Sequence, residues 1–144
     1  MPVEPGIIDA NVLVYALDAD APQHGPSRAL LEAARDGSAT LYVTLQILCE
    51  FYSAVTNPRR VPKPRSPADA LAAISMLRMF LPILPVPKHT ADELESLLRR
   101  HPVAGADIFD LQIVATMKVN GLRRIYTFNN QDFAPFPEIE ATAP

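Results

Sequence analysis

The stretch that decides the fold is "GIIDANVLVYALD", residues 6–18. An apolar strand runs into an apolar helix, and Asp9 and Asn11 stand at the junction. A carboxylate in such a segment is costly unless it is hydrogen-bonded, paired or bound to a metal. Capping of the helix that begins near Asn11 would account for Asp9 without any chemistry. A metal-site role would account for it equally well, and the stretch alone leaves both open.

Working outward, strands alternate with helices. "GPSRALLEAARDG" reads as a helix with Pro26 in its first turn and Gly37 at its end. "TLYVT" is a second strand, and "LQILCEFYSAVTN" has helical spacing up to Pro58. "SPADALAAISMLRMFL" opens on a cap-like Ser66 with Pro67 and is expected to run to Pro82. "ILPV" is expected as a third strand, and "TADELESLLRRH" as a helix with a capping box in Thr90 and Glu93. "DIFDLQIVATMKVNG" reads as a helix closed by Gly121, "RRIYTF" as a fourth strand and "IEAT" as a short edge strand. Such alternation implies an α/β fold, with a parallel sheet covered by helices. Ligands of these sheets bind beyond the carboxyl ends of the strands, which is where Asp9, Thr44 and the segment Thr127 to Asp132 fall.

Length and composition bound the function. The 144 residues, 49% apolar and 20% charged, suit one globular domain spanning residues 1–144. A net charge of −3 argues against binding nucleic acid by bulk charge, yet leaves room for a nuclease whose carboxylates hold cations. Residues 1–10 lack the basic and apolar regions of a signal peptide, and no apolar run reaches the ~18 residues of a membrane span. The one cysteine, Cys49, cannot form an internal disulfide and is expected as a small buried hydrophobe. These features lead to the expectation of a cytoplasmic protein with no membrane partner.

The acidic residues each have a plain structural reading. Gln46, Glu50, Ser53 and Asn57 form a stripe at helical spacing, either a solvated face or the wall of a cleft. Asp107 and Asp110 share a helix face; Asp107 suits an N-cap, and Asp110 suits the positive end of the helix dipole. Asp110, however, heads the apolar run of Leu111, Ile113, Val114 and Met117, which aims it at an interior edge. In "TFNNQDF", Thr127, Asn129 and Asp132 could simply form a turn. Together, Asp9, Glu50, Asp107, Asp110 and Asp132 gather at one edge without a His or Cys cluster. His24, His89 and His101 read as surface residues. An all-oxygen set suits Mg2+ or Mn2+ and disfavours zinc. "NPRRVPKPRS" places Arg59, Arg60, Lys63 and Arg65 between prolines, either as a solvated loop or as a phosphate clamp. Several helices carry broad apolar faces, including Leu71, Ile74, Leu77 and Leu81; most are expected as core, with a dimer interface or a groove for a partner helix as the other reading for some.

With these residues in view, the sequence resembles the PIN-domain ribonucleases, in particular the VapC toxins of VapBC toxin–antitoxin pairs. The resemblance rests on "IIDANVLVYAL", "CEFYSAVTNP" and "IFDLQIVATMKVNGLRRIYTFNNQDF". It implies a PIN-like three-layer sandwich, with a central, mostly parallel sheet of four to five strands flanked by helices. It places the family's four acidic positions on Asp9, Glu50, Asp110 and Asp132, with Asn11, Thr127, Asn129 and Asp107 supporting. Some relatives carry Asp where this chain has Asn129, so the number of metals stays open. The resemblance further implies hydrolysis of RNA with Mg2+, or Mn2+ as its substitute, a homodimer, and a cognate VapB-like antitoxin. Asp9 and Asp110 are then expected as direct ligands, with Glu50 and Asp132 acting through water. Two other readings stand beside it. One is a binding module that keeps the fold without turnover. The other is a phosphohydrolase with Asp9 as nucleophile, although Asn11 stands where such enzymes carry a second Asp.

Overall fold

The computed structural model describes residues 3–144; the first two residues of the expected 1–144 domain lie outside the described residues. Four short strands, β1 (Gly6–Ile8), β2 (Leu41–Tyr42), β3 (Arg124–Tyr126) and β4 (Glu140–Thr142), form one sheet in the order β2-β1-β3-β4. Every pairing is parallel. The helices α1 (Ala10–Ala16), α2 (His24–Arg35), α3 (Leu45–Thr56), α4 (Pro67–Leu77), α5 (Thr90–Arg100), α6 (Ile108–Val119) and α7 (Asn130–Phe133) flank it. The chain moves from β1 to β2 on one side, then crosses back to β3 on the other. The strand order therefore reverses between β1 and β3, and a crevice opens beyond their carboxyl ends.

The central strands are apolar because both faces are covered. Ile7, Ile8, Leu41 and Ile125 are almost wholly buried, and Val12, Leu13, Phe51, Leu77, Leu97, Leu111 and Met117 pack the same core. Close approach fixes one position in β1. A Cβ on Gly6 would lie 2.5 Å from the carbonyl oxygen of Arg124, so only glycine allows β1 to seat against β3 here.

Local signals located most element ends. Ser66 Oγ accepts from Asp69 N at 3.1 Å, with Pro67 opening α4. Gly37 and Gly121 hold positive φ values of 83° and 72° just past α2 and α6. The edge strand expected at "IEAT" is β4.

Several expectations are corrected. Residues 83–86 are not a strand: among the described residues their only strand-like link is a single parallel bridge between Val43 and Ile83. Pro82, Pro85 and Pro87 deprive this segment of the N–H groups that a ladder needs. The sheet accordingly has four strands. Helix α4 ends at Leu77 rather than reaching Pro82: Met79 and Phe80 donate to carbonyls three residues back, so the helix tightens into turns before the proline. The capping box of Thr90 and Glu93 does not form. The backbone turn over Pro87 to His89 enters α5 directly, Thr90 Oγ1 is buried without a partner among the described residues, and Glu93 pairs with Lys118 at 2.9 Å. Asp107 occupies the cap position of α6 without a side-chain capping bond, because a 3-10 turn, Gly105–Asp107, leads into the helix. Cys49 is exposed, on the face of α3 opposite Ile47, Leu48 and Phe51. Of the histidines only His89 is fully at the surface. His24 Nδ1 lies 2.9 Å from the Tyr15 carbonyl, and His101 Nε2 lies 2.7 Å from Glu138 Oε1.

Among the leucines that suggested a partner face, Leu77 and Leu81 are buried, whereas Leu71 stands out to solvent. No helix among the described residues is long and apolar enough to cross a membrane.

Replacing Gly6 with alanine forces backbone against backbone in the middle of the sheet. Gly6→Ala is expected to destabilise the fold by about 1–3 kcal/mol, the usual range for overpacking. Urea denaturation of the two proteins measures it, and an unchanged midpoint would contradict the close approach.

Candidate functional site

The crevice beyond β1 and β3 is organised around Asp9. Its backbone N–H donates to the Tyr126 carbonyl at 2.9 Å, so Asp9 still belongs to the sheet, while its side chain caps α1 by accepting from Ala10 N at 2.8 Å. The other carboxylate oxygen accepts from Thr127 Oγ1 at 2.8 Å and from Asn11 Nδ2 at 3.2 Å. Asn11 closes the arrangement, donating to Thr127 Oγ1 at 3.1 Å and accepting from Phe128 N at 3.1 Å. Capping and burial at a site therefore coexist in one residue: Asp9 is 8% exposed. Burial raises its pKa; the Thr127 hydroxyl and the Ala10 N–H oppose this, and the charges of Glu50 and Asp132 add to the rise.

Asp110 lies in the first turn of α6 and is half-buried. Its pKa is raised to about 6, first by burial and then by the charges of Asp132, Asp9, Glu50 and Asp107. Glu50, on α3, accepts from Gln46 Nε2 at 2.8 Å. Asp132 is exposed on α7, the short helix that replaces the expected turn. Asn129 precedes α7; its N–H donates to Thr127 Oγ1 at 3.0 Å, and its side chain makes no capping bond. The structure thus draws Asp9, Glu50, Asp110 and Asp132 into one electrostatic neighbourhood from four separate segments, with Asp107 exposed at its edge. None of the four is in an ion pair with Lys or Arg among the described residues.

Negative charge gathered without a cationic side chain is the condition a bound cation would relieve. Among the described residues no three His, Cys, Asp or Glu side chains form a group that could hold a metal ion directly. Mg2+ keeps several of its waters and needs only one or two protein carboxylates directly. The donor set is all oxygen, which suits the same class of ion.

The basic residues of the 57–65 loop lie apart from this centre. Lys63 and Arg65 line a cleft of about 420 Å3 with Asp18 and Asp20, between the end of α1 and the loop, while Arg59 and Arg60 are exposed outside it. Thr44, expected at this edge, caps α3, accepting from Ile47 N at 3.1 Å. One neighbour escaped the sequence reading. Phe109, beside Asp110, is 54% exposed, and nothing in an apolar helical run distinguishes an outward Phe from a core one.

The model of the PIN domain matches residues 7–138. The chain belongs to the PIN-domain family. This PIN domain is 40% identical over 70 residues to ribonuclease VapC43 of Mycobacterium tuberculosis, and the match spans 49% of the chain and about half of that relative, 48%. It is 29% identical over 135 residues to ribonuclease VapC24 of the same species, covering 90% of the chain and 89% of the relative. Among solved structures, it is similar to VapBC2 from Rickettsia felis bound to a promoter DNA fragment, with TM-score 0.68 at 16% identity over 97% of the chain and 98% of that one. It is also similar to M. tuberculosis VapC20, a Sarcin-Ricin loop cleaving toxin, with TM-score 0.66 at 19% identity over 94% and 98%. At these identities the structures establish a shared PIN fold.

The raised pKa of Asp110 has a consequence for stability. Its folded-state value lies above its ordinary value of 3.8, so the folded PIN domain binds the proton more tightly than the unfolded chain does between about pH 4 and 6. Stability of the metal-free protein falls as pH rises through that window. Asp110→Asn removes the penalty. The variant is expected to be more stable than the parent at pH 7 by about 1 kcal/mol, given the solvent screening of a half-exposed carboxylate, with the gain gone by pH 4. Thermal unfolding in EDTA across that range checks the sign.

Proposed function

We propose that residues 1–144 form a single PIN domain acting as a divalent-cation-dependent endoribonuclease, the toxin of a toxin–antitoxin pair. The observation that carries this reading is the set of four carboxylates, Asp9, Glu50, Asp110 and Asp132, gathered at the sheet's reversal point with no ion pair to Lys or Arg among the described residues. Asp9 and Asp110, both less exposed than Asp132, are the residues that would ligate Mg2+ or Mn2+. Glu50 and Asp132 would act through water. When bound, the cation would lower the pKa of a water and offset charge on the scissile phosphate. The chain's part is to orient the carboxylates. Thr127 and Asn11 fix one oxygen of Asp9, and Asn129 ties the β3–α7 loop to the same Thr127 hydroxyl. Asp107 would add charge at the rim.

The RNA substrate and the antitoxin partner are supported by the curated relatives, which are named as VapC ribonucleases, and by a neighbour described as a toxin–antitoxin complex from Klebsiella pneumoniae. A VapB-like antitoxin and a second copy of the chain would both need apolar surface. Leu45, Leu71, Met79, Ile83 and Val86 offer it, each more than a third exposed. Nucleophilic attack by Asp9 is less well supported. One of its oxygens accepts two hydrogen bonds and the other accepts from Ala10 N, and no lysine pairs with the cluster among the described residues.

Incubation of the purified protein with total cellular RNA in Mg2+, Mn2+ or EDTA tests the activity. Discrete fragments are expected with metal only. Asp9→Asn and Asp110→Asn should each cut at least about 100-fold more slowly, in line with the loss of a principal charge-stabilising group. Intact RNA from a folded wild-type protein would favour the binding-module reading. A separate measurement addresses the loop. If Arg59, Arg60, Lys63 and Arg65 clamp phosphates, Arg59→Ala with Arg60→Ala should weaken RNA binding and flatten its dependence on salt by roughly one to two phosphate contacts. An unchanged slope would remove the loop from the interface.

A further inference from the structure

Gln46 lies one helical turn before Glu50 on α3. Its Nε2 donates to Glu50 Oε1 at 2.8 Å and to the Phe109 carbonyl at 3.2 Å. Both partners are acceptors, so the amide has only this orientation: reversed, its oxygen would face two other oxygens. Phe109 immediately precedes Asp110. The same nitrogen therefore grips one carboxylate and the backbone beside another. Among the described residues it makes the only side-chain hydrogen bond that joins α3 to α6.

The other end of the amide is left without a partner. Gln46 Oε1 is buried and accepts no hydrogen bond among the described residues. Such an atom works against folding. The surrounding run of Leu45, Ile47 and Leu48 is apolar, and a leucine or methionine at position 46 would avoid the loss. What glutamine adds over either is its pair of donations.

Those donations answer a specific difficulty. Glu50 shares its surroundings with Asp9 and Asp110, and like charges push its flexible side chain outward. A lysine in place of Gln46 would hold Glu50 and also neutralise it. An amide holds it and leaves its charge intact. We infer that Gln46 is a positioning residue of the cation site, fixing the Glu50 carboxylate against the Asp110 end of α6 and acting through Glu50. This rests on the cation-dependent reading of the carboxylate cluster.

The test is calorimetric titration of Mn2+ into metal-free protein, without RNA. Gln46→Met keeps the length and apolar packing of the side chain and removes both donations. It is expected to lower Mn2+ affinity by about 10-fold or more, the usual range for a group that orients a ligand, while remaining folded by thermal melt. In a Glu50→Gln background the same change should cost nothing further, because Gln46 acts through that carboxylate. Should Gln46→Met fail to fold, Gln46→Asn replaces it: the amide is kept, one methylene too short to span both acceptors, and the same loss is expected. Affinity within twofold of wild type would overturn the inference while leaving the cation site standing. Losses that multiply fully in the double variant would overturn it too, since a purely structural role predicts that. Absence of Mn2+ binding by the wild-type protein would remove the cation reading, and this inference with it.

Discussion

A carboxylate buried at the end of the central strand is the constraint on which the rest of the site depends. Asp9 must be hydrogen-bonded to exist where it does, and its donors come from both sides of the crevice: Ala10 and Asn11 from α1, Thr127 from the end of β3. Thr127 can reach Asp9 only if β3 lies in register beside β1. That register is set by Ile7 opposite Ile125 and Ile8 opposite Tyr126, and by the absence of a side chain at Gly6. The sheet and the site are thus one problem. A one-residue slip of β3 would bury the wrong side chains and leave Asp9 without its hydroxyl partner.

The acidic positions are far apart in sequence, and parallel topology is what converts distance along the chain into proximity. Asp9 follows β1, Glu50 rides on the helix after β2, Asp110 opens the helix that leads to β3, and Asp132 sits on the short helix after it. Parallel pairing returns each strand to the sheet in the same direction, so successive strand ends deliver their loops to one edge.

This explains which parts were legible in the sequence. Short-range chemistry was readable: Ser66 with Pro67 at a helix start, Gly37 and Gly121 at helix ends, and the strand–Asp–helix junction itself. The carboxylate set was readable because its members interrupt apolar runs at places where the topology predicts a ligand edge. What escaped depended on tertiary choices. The 83–86 segment has strand-like residues, yet its prolines leave it only a single bridge. Thr90 and Glu93 have capping-box spacing, but Lys118 on α6 offers Glu93 a charged partner instead. Cys49 has a hydrophobe's neighbours in sequence, but helical geometry turns it away from Ile47, Leu48 and Phe51. The stripe beginning at Gln46 was visible as a polar face, though nothing local indicated that its first member bonds to a carbonyl 63 residues away.

The donors that surround the carboxylates have a property in common: all are neutral. Asp9 is held by a hydroxyl, a side-chain amide and a backbone N–H, and Glu50 by a side-chain amide. The chain has 13 Lys and Arg residues, and some are used elsewhere to pair carboxylates, as Arg124 does with Glu4 and Glu140 and Lys118 with Glu93. At the crevice none is used in this way among the described residues. Ion pairs would have countered the burial and the like-charge repulsion that together raise Asp110 to about 6. Neutral donors order the carboxylates and leave their charge uncompensated. Stability is given up where these carboxylates gather, and on the proposed reading a hydrated divalent cation is the partner whose chemistry matches them.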